Sequence, residues 1–251
     1  MSSLFAMRAR VHPTRVAIED ASRKLTYAEL DARVRRTANV LAGAGVRAGD
    51  RVALVSENRV EHIELALAAG RIGAALACPG WRLAPPEIAH CIALVEPRCT
   101  IVSARHASKV ARADFVLGDE WDARLARAPS DHEAALVDPE DALLILYTSG
   151  TTGLPKGAVL SHRAEIFRNL VVRADFGVTN TDAFVAWSPL YHMGAMEPSL
   201  GALMSGGSVV VVDGFDRARL AELVASRELG WLLLMPGMVA SFVEELRARA
   251  I

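Results

Sequence analysis

The chain has 251 residues, a formal net charge of −1, 52% hydrophobic and 23% charged residues, and few aromatics (6%). This length and balance describe a globular chain with a sizeable aliphatic core rather than a disordered one, and the near-neutral charge gives no electrostatic reason to expect a nucleic acid or an acidic membrane surface as partner. Cys78, Cys91 and Cys99 are sparse, odd in number and form no C-x-x-C pair, which suits reduced, buried thiols.

In chain order, Thr26-Tyr27-Ala28-Glu29 has capping-box spacing, and Leu30, Val34, Ala38 and Leu41 continue it as a helix ending near Gly43 and Gly45. Residues 51–56 read as a short buried strand, 60–72 and 86–95 as helices, and 100–103 and 115–117 as strands. The stretch 123–139 is polar, with Pro129, Ser130, Asp131 and His132 together, and reads as a surface connection. Residues 142–147 form a continuous apolar run, the mark of a strand covered on both faces, and 158–160, 184–187, 208–212 and 231–235 repeat the pattern. Helices are predicted over 163–175, 193–204, 217–227 and 238–249. Strands alternating with helices predict an α/β fold with mainly parallel sheets and helices on both faces. There is no internal repeat. The start, residues 1–13, carries Arg8, Arg10 and His12 and no long apolar segment, so no signal peptide is expected. The most apolar stretch, 63–79, is interrupted by Glu64 and Arg71, so no membrane span is expected, and the chain reads as soluble and cytoplasmic.

The densest chemistry follows the run at 142–147. Tyr147-Thr148-Ser149-Gly150-Thr151-Thr152-Gly153-Leu154-Pro155-Lys156-Gly157 packs hydroxyls, glycines and one lysine into a single loop. Glycines let the backbone approach a ligand closely, and successive N–H groups in such a turn form an anion-binding concavity. Four hydroxyls and a mobile cation suit a polyphosphate. The spacing is neither G-x-x-x-x-G-K-[ST] nor G-x-G-x-x-G, so a common P-loop enzyme or a dinucleotide fold is not indicated. No nucleophile elbow appears, His12, His62, His90, His106 and His132 lack metal-ligand spacing, and no metal site is predicted. His162 reads as structural, and Glu61, Glu64 and Glu87 read as residues of solvated helix faces.

Residues 147–157 resemble the phosphate-binding signature of the adenylate-forming (AMP-binding) superfamily, N-terminal half only, and other segments agree in order. Leu25-Thr26-Tyr27-Ala28-Glu29-Leu30 resembles its L-T-Y-x-E-L element, Trp81-Arg82-Leu83 with Pro86-Glu87-Ile88 its N-x-R-L-x-x-x-E-[IL] segment, and Ser188-Pro189-Leu190-Tyr191-His192-Met193-Gly194 its P-L-[FY]-H-x-x-G element. The resemblance implies an acid–thiol ligase of acyl-CoA synthetase type. Such an enzyme makes an acyl-adenylate from ATP, Mg2+ and a carboxylic acid, fatty or aryl, then transfers the acyl group to coenzyme A. A carrier protein is the alternative acceptor, and a non-catalytic binding module the alternative to an enzyme. It implies that Thr148, Ser149, Gly150, Thr151, Thr152, Gly153 and Lys156 hold the nucleotide phosphates, with Lys156 and His192 catalytic. Met193 and small residues near Gly194 flank a substrate region made by Trp187, Tyr191, His192 and Gly194. A homodimer is compatible with the family. The chain reads as an incomplete N-terminal AMP-binding domain, with a first αβ portion over 1–137, a loop-bearing portion over 138–251 and no C-terminal domain. On that reading the polypeptide alone is expected to form no acyl-adenylate.

Overall fold

A computed structural model describes residues 1–148 and 153–251. It opens with a helix, α1 (Ser2–Val11), and an antiparallel ribbon of β1 (Val16–Glu19) and β2 (Lys24–Thr26). Thr26 then starts α2 (Tyr27–Gly43): its hydroxyl accepts from the Glu29 N–H at 3.2 Å while the Glu29 carboxylate accepts from the Thr26 N–H at 2.8 Å. That reciprocal pair satisfies donors a helix start otherwise leaves open. There follow β3 (Arg51–Val55), α3 (Val60–Ile72), β4 (Ala75–Cys78), α4 (Pro85–Val95), β5 (Cys99–Ser103), β6 (Phe115–Leu117), α5 (Asp119–Arg127), β7 (Ala142–Thr148) and β8 (Lys156–Ser161). The chain continues through α6 (His162–Phe176), β9 (Ala183–Ala186), α7 (Met193–Ser205), β10 (Ser208–Val211), α8 (Arg217–Ser226), β11 (Leu229–Trp231) and α9 (Val239–Ala248).

The strands form two sheets, ordered β6-β5-β3-β4-β7-β8 and β11-β9-β10-β1-β2. Each is parallel except for one antiparallel edge strand, β8 in the first and β2 in the second. Both sheets draw strands from either side of residue 137. Helices α1, α2, α3 and α7 fill the space between the sheets, sharing one apolar cluster with Leu54, Leu76 and Leu144 on one side and Ile18, Val209 and Val211 on the other. The alternate residues Val210 and Val212 face outward against Leu220 of α8 and Phe242 of α9, while Ala77 and Ile145 face Cys91 of α4. The period-two alternation of strands thus builds layers on both faces of each sheet.

Three expectations need correction. The run at 158–160 was read as a buried strand, yet β8 is an exposed antiparallel edge with Val159 63% exposed; an apolar run tells hydrophobicity, not which sheet position it occupies. The stretch expected as connection from residue 123 begins inside a helix: α5 runs through Arg127, its Trp121 and Leu125 buried one turn apart and its acidic first turn and basic last turn complementing the helix dipole. Glu61 and Glu64 are not solvated, being 1% and 0% exposed. Helix α3 is covered on all sides, so charges on it require partners: Glu64 accepts from Arg33 Nε at 2.6 Å and from the Thr37 hydroxyl at 2.5 Å, and Glu61 accepts from Arg59 at 3.0 Å and lies 3.3 Å from Arg23.

Asn58, between β3 and α3, ties the two sheets together. Its amide NH2 donates to the Ser188 and Val212 carbonyls at 2.7 and 3.0 Å, and its Oδ1 accepts from the Leu190 N–H at 2.8 Å. These partners lie at the carboxyl ends of β9 and β10, where backbone groups have left the ladder and need replacement partners.

Candidate active site

The loop at 147–157 joins β7 to β8. Its predicted phosphate contacts Ser149, Gly150, Thr151 and Thr152 lie outside the described residues. Of the rest, Thr148 is exposed at the carboxyl end of β7, Gly153 adopts a positive φ of 93°, and Lys156 is the ladder partner of Thr148 at the base of the hairpin. Both legs are braced by α4. The Tyr147 hydroxyl donates to the Cys91 carbonyl at 2.7 Å, and His90 Nε2 lies 3.2 Å from the Pro155 carbonyl oxygen. Burial pushes the Tyr147 phenol upward, so it remains a protonated donor.

The segment 187–192 reaches the same place from the other sheet. It leaves β9 and is pinned by Asn58, and the Trp187 indole N–H donates to the Leu233 carbonyl at 2.7 Å. His192 is the N-cap residue of α7, with its own N–H donating to the Pro189 carbonyl at 3.0 Å. Tyr191 is buried against Gly80, where a Cβ would stand 2.9 Å from Tyr191 Cε2. Only glycine admits the ring so close to the backbone. Gly80 opens a β-turn closed by the Leu83 N–H donating to its carbonyl at 3.0 Å, which puts Trp81 and Arg82 at the turn's tip.

These parts enclose a cavity of about 250 Å³ lined by Gly80, Arg82, Leu83, Glu87, Tyr147, Thr148, Gly153, Pro155, Tyr191 and His192. Partial burial holds the His192 imidazole below its ordinary value and the Arg82 guanidinium pushes the same way, so it is uncharged at neutral pH. Burial raises the Tyr191 phenol, against the opposing pull of Arg82. The space therefore offers one guanidinium, a neutral imidazole, the Glu87 carboxyl group, hydroxyls and an apolar wall. The structure brings Thr148, Gly153, Tyr191 and His192 together. It places Trp187 instead in a neighbouring hollow of about 150 Å³ with Trp81, Arg105 and Asp213, and Gly194 behind the wall, where a Cβ would meet Leu233 at 3.0 Å.

Sequence reasoning passed over Arg82, His90 and Glu87 as site residues. Glu87 is half-buried, lines the cavity and caps α4 by accepting from the Ala84 N–H at 2.8 Å. The available signal was positional: Gly80 to Leu83 follow the carboxyl end of β4 beside β7, where parallel α/β sheets bind their ligands.

A family model described as "AMP-binding enzyme" matches residues 5–250. The chain belongs to the AMP-binding enzyme family. A feruloyl-CoA synthase from Amycolatopsis sp is 32% identical to it over 252 residues, covering 97% of this chain and 50% of that protein. The long-chain-fatty-acid–CoA ligase FadD13 of Mycobacterium tuberculosis is 29% identical, covering 90% and 48%. Apo MatB from Rhodopseudomonas palustris superposes with a TM-score of 0.83 at 30% identity over 98% of this chain and 50% of that one, and the N-terminal domain of FACL13 from Mycobacterium tuberculosis with 0.81 at 29% identity over 89% and 59%. The chain spans about half the length of the curated relatives it matches. Its sheets and helices are those of the N-terminal domain of adenylate-forming enzymes. Among the described residues, this AMP-binding chain has no helix long and apolar enough to cross a membrane, and no cluster of three His, Cys, Asp or Glu able to hold a metal ion.

Proposed function

We propose that this chain contributes the phosphate-binding and acyl-binding end of an ATP-dependent acyl-CoA ligase. One observation carries the reading: the two described ends of the hydroxyl- and glycine-rich loop share a single cavity with Arg82, Tyr191 and His192. The difficult step is attack of a carboxylate oxygen on the α-phosphorus of an already anionic chain, with pyrophosphate leaving. Preorganised donors lower that barrier by stabilising charge as it moves onto the leaving group.

In this reading Thr148, Ser149, Gly150, Thr151, Thr152 and Gly153 cradle the terminal phosphates, with Lys156 as the mobile charge at the base of the hairpin. Magnesium, arriving as part of the Mg-ATP substrate, would supply neutralisation of phosphate charge. Tyr191 and His192 face the acyl group, and His192, being uncharged, offers a nitrogen to the acyl or thiol group without adding a competing anion site. Trp187 and Gly194 support that wall from behind. CoA is the acceptor suggested by the names of the relatives, and the acid is fatty or aryl. The portions 1–137 and 138–251 together form the N-terminal part of the enzyme.

Isothermal titration of the purified chain with Mg-ATP tests the reading. Lys156→Ala is expected to weaken binding about tenfold, the scale of one charge-assisted contact of about 1.4 kcal/mol. His192→Ala is expected to leave ATP binding unchanged. Absence of ATP binding by the wild-type chain, or indifference to Lys156→Ala, would overturn the assignment of the loop.

A further inference from the structure

Arg82 is exposed at the tip of a turn, and a side chain with four rotatable bonds there needs something to aim it. The structure supplies a stack. The Arg82 guanidinium carbon lies 5.0 Å from the centroid of the Trp81 ring, within cation–π range. His106 lies against the same indole with ring centroids 4.8 Å apart and planes within 14°. The turn is held on either side of Arg82, because the Lys109 ammonium donates to the Trp81 carbonyl at 2.6 Å and reaches the Leu83 carbonyl at 3.4 Å.

His106 is buried, and its Nε2 has no hydrogen-bond partner among the described residues. The Glu57 Oε2 acceptor is 3.6 Å away and already accepts from the Ser103 hydroxyl at 2.5 Å. Glu57 is also shared with Arg59 at 3.6 Å and Arg105 at 3.8 Å. A buried imidazole with an unpaired nitrogen is costly as mere filling. Its flat contact with Trp81 is the interaction the geometry provides in return.

We propose that His106 is a positioning residue: by stacking on Trp81 it holds the ring over which Arg82 is aimed, and so sets the capture of a phosphate-bearing ligand by Arg82. The ligand chemistry is a phosphate ester or anhydride, from either ATP or coenzyme A, and this part rests on the function proposed above. His106 touches no ligand itself.

The test uses the purified chain and four variants, Arg82→Ala, His106→Ala, His106→Phe and the double His106→Ala/Arg82→Ala. Binding of Mg-ATP and of coenzyme A is measured separately by calorimetry, and the titration of His192 by NMR without ligand. Whichever ligand Arg82→Ala weakens identifies the source. His106→Ala is expected to weaken that same ligand three- to tenfold, His106→Phe to restore binding to within twofold because a flat ring is retained, and the double variant to bind no more weakly than Arg82→Ala. In the ligand-free titration, Arg82→Ala and His106→Ala are both expected to shift His192 upward and His106→Phe to leave it in place. A His106→Ala effect that adds to that of Arg82→Ala, a phenylalanine variant as weak as the alanine one, or an unmoved His192 in His106→Ala would overturn the positioning role. If the wild type binds neither ligand, the proposed function falls, and the His192 titration still decides whether His106 aims Arg82.

Discussion

Gly201 of α7 sits where α6 crosses it, and replacing it by alanine tests how tightly that crossing is built. A Cβ there would land on the Asn169 amide group and within 3.1 Å of Asn169 Cβ. Asn169 is buried, and its amide NH2 donates to the Glu165 carbonyl at 2.8 Å and to Glu165 Oε1 at 2.9 Å. The new methyl forces the amide away from both acceptors or drives the helices apart. Overpacking costs about 1–3 kcal/mol, and the displaced hydrogen bonds about 1 kcal/mol each. The helix preference for Ala over Gly returns about 1 kcal/mol, since Gly201 has no positive φ to protect. The expected net loss for Gly201→Ala is therefore about 2–4 kcal/mol, read as a lower urea midpoint at unchanged slope by far-UV circular dichroism. Asn169→Ala opens the space the methyl needs, so Gly201→Ala in that background should cost less, with a coupling of at least about 1 kcal/mol. A single variant within about 0.5 kcal/mol of wild type, or strictly additive variants, would refute a crossing set by this contact.

Three further outcomes rest on other buried contacts of the same fold. Burial first, and the neighbouring Glu197 second, push the Glu165 carboxyl up to about 8, so the folded chain binds a proton there that the unfolded chain releases in the ordinary carboxylate range. Its contribution is complete at pH 4 and is lost as pH rises toward about 8; Glu165→Gln should flatten the stability profile between those limits in denaturant melts, and parallel profiles would exclude the effect. Glu64→Leu should cost about 3 kcal/mol, the low end for breaking a buried ion pair, because Asp122 still accepts from Arg33 at 2.9 Å; chemical denaturation measures it. Gly80→Ala should push the Tyr191 ring into the cavity and weaken ATP or coenzyme A binding at least fivefold in calorimetry while shifting the melting temperature little.

Much of this fold was legible because local chemistry and tertiary structure agree. The Thr26–Glu29 capping box and the span of α3 follow from the sequence to within a residue. The ribbon of β1 and β2 was not, because β1 finds its parallel partner β10 about 190 positions away. Glu61 and Glu64 looked like a solvated face because spacing on one helix says nothing about Arg33 on another. In the site, the loop announced itself through glycines and hydroxyls clustered in one segment, and His192 through its motif. Arg82 and His90 did not, because they join the loop only when β4 lies beside β7 and α4 closes over the hairpin.

The Asn58 amide has a consequence beyond holding two sheet ends. The Leu190 N–H it captures is buried and, among the described residues, bonded to a side chain that follows β3 of the other sheet. Exchange of that hydrogen with solvent requires the sheets to part there, whereas ladder amides can open by local fraying. A single residue thus carries a reporter on whether the sheets unfold as one cooperative unit: Leu190 exchanging at the rate of the slowest ladder amides marks one unit, and exchanging much faster marks two bodies that separate while each remains intact.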